Sequence, residues 1–264
     1  MKQHLVYWLV AWLYNYLASR DRDAKVTFMN YGFALPDSST DARDNRKDDP
    51  DLHRKSLYWK VAGGIGDPKW DWSEKEVLEV GSGRGGGAVY LVTRLEPRSY
   101  QGVDLSAGAV RFCQERHSRP GLSFSQGNAE DLPFPDQSFD VVINLESSHC
   151  YPRMPSFLGE VRRVLRPQGY LLLADFRRKA GMAQLQESLG NSGLVEISRE
   201  DITPYVLAAL RLDSGANLAL VQEYVPWWLR WRFRPFAGVE NSGMPESFAS
   251  GERVYLSFVF QKPD

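Results

Sequence analysis

A short apolar run closes on an acid and then breaks into glycines. Residues 77–87 read Val-Leu-Glu-Val-Gly-Ser-Gly-Arg-Gly-Gly-Gly, and helical spacing follows from Ala88 to Leu95. A strand must turn sharply into a helix there. Glycines let a backbone approach a ligand where a Cβ would clash. The spacing Gly81-x-Gly83-x-x-Gly86 fits a dinucleotide site, and alone it is weakly specific. A glycine-rich turn with no ligand is the alternative, although such a turn needs few of these glycines.

Glu79 discriminates between ligands. It stands two residues before the first glycine, where a pyrophosphate would feel its charge at close range. S-adenosylmethionine (SAM) carries a sulfonium and an ammonium and no phosphate, so an acid beside the turn suits it.

From Val77 onward strands and helices alternate. The pattern predicts strands over 77–80, 100–104, 122–126, 139–145, 170–174, 195–201 and 254–262. It predicts helices over 86–95, 107–116, 156–165 and 182–191. Such alternation argues a parallel sheet covered on both faces. Arg166-Pro-Gln-Gly169 stops one helix and opens the next strand. About fifty residues between the last two strands break the alternation: helical spacing over 203–225, then Pro226-Trp-Trp-Leu-Arg-Trp-Arg-Phe-Arg-Pro-Phe236. Insertions of that length are commonly lids or binding segments. Its aromatics either pack on the core while the arginines reach water or roof an apolar substrate tunnel, and the two are compatible.

The rest of the chain sets limits. A net charge of -1 over 264 residues gives no electrostatic footprint for nucleic acid. Two cysteines, Cys113 and Cys150, build no disulfide framework and fit a reducing cytoplasm. No Cys/His cluster has zinc-ligand spacing, and the acidic run Asp48-Asp-Pro-Asp51 reads as a solvated loop, so no metal is expected. Leu5 to Leu17 is apolar and aromatic, too short for the roughly 20 residues a bilayer span needs. It lacks the marks of a secretory signal. It reads as a helix packed on a cap or a subunit, or in peripheral contact with a membrane or synthase. The division that follows is an N-terminal helical cap over 1–70 and a catalytic domain over 71–264, with a lid at about 203–250.

Ligands on open α/β sheets bind beyond the carboxyl ends of the strands. Asp104, in Gly102-Val-Asp-Leu-Ser106, can accept both ribose hydroxyls there. Capping the following helix is the other reading. Asn128 can accept from an adenine amino group, with Leu132 and Phe134 anchoring its loop. The fourth strand ends in Asn144-Leu-Glu-Ser-Ser-His149 and the fifth in Asp175. His149 suits a general base, and Asp175 a carboxylate that fixes its tautomer. Cys150 reads as small packing.

Together these motifs resemble a class I SAM-dependent methyltransferase, whose order and spacing residues 77–87, 102–106, 127–134, 139–149 and 161–175 match. Val77-Leu-Glu-Val, Gly85-Gly-Gly-Ala, Glu146-x-Ser-His-Cys-Tyr-Pro152 and Glu160-Val-x-Arg-Val-Leu-Arg-Pro167 are similar to the mycobacterial enzymes that O-methylate phthiotriolone and phenolphthiotriolone dimycocerosates. Microcystin-type O-methyltransferases are similar too. The likeness runs from about residue 26 to 180 and weakens in the lid. Many relatives carry an Asp at position 128 and a His pair where this chain has His149-Cys150.

The resemblance implies an α/β fold: a seven-stranded Rossmann-like sheet with the helical cap and with the lid before the last strand. It implies SAM as cofactor, held by Tyr31, Glu79, Gly81, Gly83, Asp104, Leu105, Asn128, Ala129, Glu130 and Leu145. It implies O-methylation of a bulky apolar small molecule, a polyketide, lipid or lipopeptide-like metabolite. Tyr31, Ser148, Tyr151, Trp227, Trp228 and Trp231 would contact that acceptor, and His149 and Asp175 would be catalytic. A carbon methyltransferase of the quinone type and a SAM-binding protein without turnover share the cofactor motifs.

Overall fold

The computed structural model describes residues 21, 25–35, 49–65 and 70–264. The expected helix over Leu5–Leu17 lies outside the described residues, as does Asp48 of the expected solvated run. Asp49 and Asp51 of that run are instead partly buried just ahead of Leu52, paired with Lys55 Nζ at 2.6 Å and Arg54 Nη1 at 3.2 Å respectively. Of the expected cap, the described parts are an extended arm over 25–35 and helix α1 (Leu52–Ala62).

Seven strands form one sheet: β1 (Glu76–Val80), β2 (Ser99–Asp104), β3 (Leu122–Gln126), β4 (Phe139–Leu145), β5 (Leu165–Arg178), β6 (Val195–Asp201) and β7 (Arg253–Gln261). Their order is β3-β2-β1-β4-β5-β7-β6, and β7 alone runs against the others. The chain winds outward from β1 to β3, then crosses back to lay β4 on the other side of β1. That reversal opens a crevice between β1 and β4, where open sheets take ligands.

Side-chain alternation builds two cores, one on each face. Val77, Tyr100, Val141 and Leu172 face α1, α2 (Gly86–Leu95), α3 (Ala107–Arg116) and the long helix α6 (Thr203–Tyr224). Leu78, Val80, Val142 and Leu173 face α4 (Met154–Val164) and α5 (Met182–Gly190). Pro155 sits in the first turn of α4, where its missing N–H costs nothing, so the helix starts before the expected Ser156.

Strand β5 is much longer than its apolar run predicts. At its start Leu165 pairs Phe139, and a register shift passes over Arg166–Gly169 to Tyr170 opposite Val141. At its end Asp175, Phe176, Arg177 and Arg178 stay in the sheet because β7 pairs with them. Charged residues end a hydrophobic pattern, but an antiparallel partner supplies backbone bonds regardless of side chain. Strand β6 is the outer edge, and its Glu196, Arg199, Glu200 and Asp201 are the kind of charges that discourage edge-to-edge pairing.

The segment expected to form a lid comprises α6, α7 (Arg230–Phe236) and α8 (Met244–Ala249). Both its ends hang from the sheet edge that carries the strand tips: Asp201 of β6 and Asp175 of β5 lie level with Leu256 near the start of β7. Among the described residues no helix is long and apolar enough to cross a membrane.

Candidate active site

The glycine turn sets the floor of a cavity of about 310 Å³ at the β1/β4 crevice. Gly81 has φ +80°, and a Cβ there would stand 2.4 Å from Ser147 Oγ, so only glycine lets β1 and the β4 tip approach this closely. The N–H groups of Gly81 and Ser82 both donate to Val103 O, at 2.8 and 3.1 Å. Asp104 Oδ2 accepts from Gly83 N and Oδ1 from Ser106 N, both at 2.9 Å. Ser106, not Asp104, caps α3, accepting from Ala109 N at 3.2 Å. The Asp104 carboxylate therefore presents its remaining lone pairs to the cavity, flanked by Leu105, Ala129 and Leu145.

A second wall is the arm. Asp21 forms a fully buried ion pair with Arg84 of the glycine turn, 2.6 Å from Nη2, and Arg84 Nε donates to Val26 O at 2.5 Å. Gly86 N donates to Thr27 O at 3.3 Å. Farther along, Tyr31 N donates to Glu146 Oε1 at 2.9 Å. Tyr31 thus lines the cavity, its ring 5.5 Å from that of Phe176.

The chemical end lies at the tips of β4 and β5. His149, on the short turn Ser148–Cys150 after β4, places Nδ1 2.8 Å from Asp175 Oδ1, and its backbone N–H donates to Asp175 Oδ2 at 2.8 Å. An ionised carboxylate only accepts, so Nδ1 carries the proton and Nε2 of a neutral ring is left as an acceptor. The His149 ring lines the cavity, 4.4 Å from Phe176. Burial alone would lower the His149 pKa, but the Asp175 carboxylate, helped by Cys150, pushes it up to about 10. Burial would raise Asp175, yet His149 and Arg177 beside it hold the carboxyl well below the usual carboxylate range. The pair is a strong proton acceptor with a permanently charged partner.

Several expected contacts fall elsewhere. Glu79 does not line the cavity. Its side chain shares the face of Val77, so it lies under the turn, accepting from Tyr58 Oη at 2.8 Å and Tyr100 Oη at 2.9 Å. Burial there, opposed by the two hydroxyls, pushes its pKa up to about 7. Glu130 is taken by Arg153, which donates from its backbone N at 2.5 Å and from Nε at 2.9 Å. Asn128 Oδ1 accepts from Glu130 N at 3.0 Å within its own turn, and the residues lining the cavity beside it are Gly127 and Ala129. Ser148 is buried behind Asp175, donating to Oδ2 at 2.6 Å, and supports that carboxylate rather than an acceptor. Tyr151 reaches the cavity at the glycine turn, its Oη 2.9 Å from Asn144 Nδ2. Trp227, Trp228 and Trp231 are 78%, 58% and 67% exposed and do not line it. The lid side chains that do are Phe236 and Met244.

Sequence reasoning missed Glu146. It adopts φ +48°, a strained conformation for a glutamate. Its Oε1 also accepts from Tyr255 Oη at 3.0 Å. Burial, then the Asp175 charge, push its pKa up to about 8 against these donors. The available signal was an acid placed directly after the apolar run of the fourth strand.

The residues present fit SAM: acceptor oxygens of Asp104 beside a glycine cradle at one end, aromatic and apolar walls at the other. The comparisons agree. A family model described as "Methyltransferase domain" matches residues 78–173. A probable phthiotriol/phenolphthiotriol dimycocerosates methyltransferase 2 from Mycobacterium ulcerans is 42% identical over 88% of this chain and 88% of its own length. A fatty-acid O-methyltransferase from Mycolicibacterium smegmatis is 36% identical over 95% of this chain and 89% of its own. A solved structure of a putative sarcosine dimethylglycine methyltransferase from Galdieria sulphuraria shares the fold, with a TM-score of 0.70 at 13% identity over 89% of this chain and 94% of that one. Cradle, sheet order and sequence together make this chain a member of the class I SAM-dependent methyltransferases.

Proposed function

We propose that the enzyme methylates a hydroxyl oxygen of a bulky apolar acceptor, a lipid or polyketide-like metabolite. The observation that carries this reading is the His149–Asp175 pair, whose imidazole lines the cavity beside Tyr31 and Phe176, with Phe236 and Met244 also lining it. When bound, SAM supplies an already electrophilic methyl group. Asp104 and the glycine turn would hold its ribose, and Tyr31 would cover its methionyl part. An aliphatic alcohol is a weak nucleophile, so His149 Nε2 takes its proton, and the resulting imidazolium is stabilised by Asp175. Phe176, Phe236 and Met244 exclude water and grip the hydrocarbon. The names of the two mycobacterial relatives, one acting on phthiotriol dimycocerosates and one on fatty acids, support an acyl-rich acceptor.

One observation favours a second acceptor chemistry. The Asp175 carboxylate 2.8 Å from Nδ1 favours the imidazolium form of His149, which suits a fatty carboxylate that has no proton to lose, and one relative is named a fatty-acid O-methyltransferase. Incubation with methyl-labelled SAM and paired long-chain alcohols and acids, with mass spectrometry of the product, separates the two. A methyl ether supports the hydroxyl reading; a methyl ester alone replaces it; a new carbon–methyl bond overturns both.

A further inference from the structure

Three indoles stand in water on one short segment of the lid. Trp227, Trp228 and Trp231 expose well over half their surface, and nothing in the methyl-transfer cavity requires them. Exposed aromatic patches of this kind mark binding surfaces. Their setting narrows the partner. From Pro226 to Val239 the chain carries Arg230, Arg232 and Arg234 and no acidic residue. Arg232 lies over the Trp231 ring, 5.2 Å from its centroid. Arg230 holds the end of α6 by donating to Val225 O at 3.0 Å and Gln222 O at 2.8 Å, which leaves its charge on the same surface. Indoles with an apolar body and one N–H donor settle at the boundary of hydrocarbon and headgroups, and arginines beside them reach the anionic groups.

The inner side of the same segment faces a chamber. Phe233, Phe236 and Ala237 line an apolar cavity of about 100 Å³ together with Val221, Val225 and Met29. Phe236, Met29 and Tyr31 line this chamber and the methyl-transfer cavity alike. Residues 227–237 thus carry exposed Trp and Arg side chains on one side and, through Phe233 and Phe236, line the chamber that neighbours the methyl-transfer cavity on the other.

We propose that the Trp227–Trp228–Trp231 surface, with Arg230 and Arg232, docks on an anionic lipid surface and sets the chamber of α7 against it. This goes beyond the methylation chemistry and is tested by binding, not turnover.

The experiment is co-sedimentation of the full chain with vesicles of phosphatidylcholine alone, or mixed equally with phosphatidylglycerol, at low and high salt. The expected result is binding to the anionic vesicles that weakens with salt, with a blue shift of tryptophan emission. Replacing all three, Trp227→Ser, Trp228→Ser and Trp231→Ser, should weaken binding at least about tenfold. Arg232→Gln should weaken it about fivefold, as one charge near such a surface is worth. SAM affinity of each variant, measured by calorimetry, serves as the folding control. If the triple variant does not fold, Arg232→Gln and the salt dependence of the parent carry the test. Equal binding to neutral and anionic vesicles, no vesicle binding, or undiminished binding by folded variants overturns the proposal. The last outcome would point to another segment of the chain, and the second to a protein partner.

Discussion

The cofactor end and the lid end of this cavity are made of different materials. Around Asp104 the walls are backbone: glycine N–H groups, carbonyls and one carboxylate held by two amides. Around Phe236 they are side chains carried on helices that lie over the sheet, joined to β7 by packing and by side-chain hydrogen bonds such as Arg253 Nη1 to Ser247 Oγ at 2.7 Å. Backbone geometry recognises a ligand that never changes, and tolerates few substitutions. Apolar packing recognises shape loosely, so an acceptor can vary while the reaction stays the same.

The sharpest way to break this comparison is at the seam between the two ends. His149→Ala should lower turnover by roughly 10²–10⁴-fold, the range for a general base, while SAM affinity measured by calorimetry holds. In the hydroxyl reading the parent rate should climb with pH toward about 10, because Asp175 keeps the ring protonated until then. Asp175→Asn should bring that rise back toward the ordinary histidine value of about 6.5. A rate that instead falls on approaching pH 10 indicates an anionic acceptor held by the imidazolium. The same pair links pH to stability. A histidine whose pKa is raised by folding contributes fully below its unfolded value, and the contribution is lost as pH rises through about 10. Denaturant midpoints across that range check the sign.

Next in size is the cradle. Asp104→Ala removes hydrogen bonds to a charged group, worth about 1.5–3 kcal/mol of SAM affinity, and leaves the acceptor walls intact. An equal loss of acceptor binding would show that the two ends are not separable. The smallest effect belongs to the lid. Phe236→Ala removes one partly exposed ring from a loose wall. Its cost should stay under the roughly 3–5 kcal/mol of a buried phenylalanine, and it should raise the acceptor KM while SAM affinity is unchanged. A larger loss in SAM binding than in acceptor binding would reverse the assignment of materials.

The same contrast explains what could be read from the chain. The strands, the turn at Gly81 and the pairing of His149 with Asp175 follow from spacing, because β4 and β5 are neighbours and the turn that follows β4 falls beside the level of Asp175 where their parallel pairing ends. Glu79 misled because charge was argued without asking which face of β1 it points to; alternation with Val77 sends it to Tyr58 and Tyr100. Glu130 and Ser148 misled because their partners, Arg153 and Asp175, come from elements distant in sequence. Trp227, Trp228 and Trp231 stand outside the cavity because apolar character says a side chain wants a partner without saying which surface supplies it. Phe236 and Met244 carry no periodic signal and become visible only when α7 and α8 are folded over the mouth.

The reversed seventh strand has a consequence for how such enzymes diversify. Because β7 begins beside the point where β6 ends, the lid departs from and rejoins the scaffold at neighbouring positions. The length of chain from Thr203 to Ser250 is therefore free to vary provided that Val206, Leu210 and Phe248, which fill the core against the sheet, are kept. A chimera carrying another lid between those ends inherits the old reagent and a new clientele, which makes this topology a natural starting point for changing substrate without relearning the chemistry.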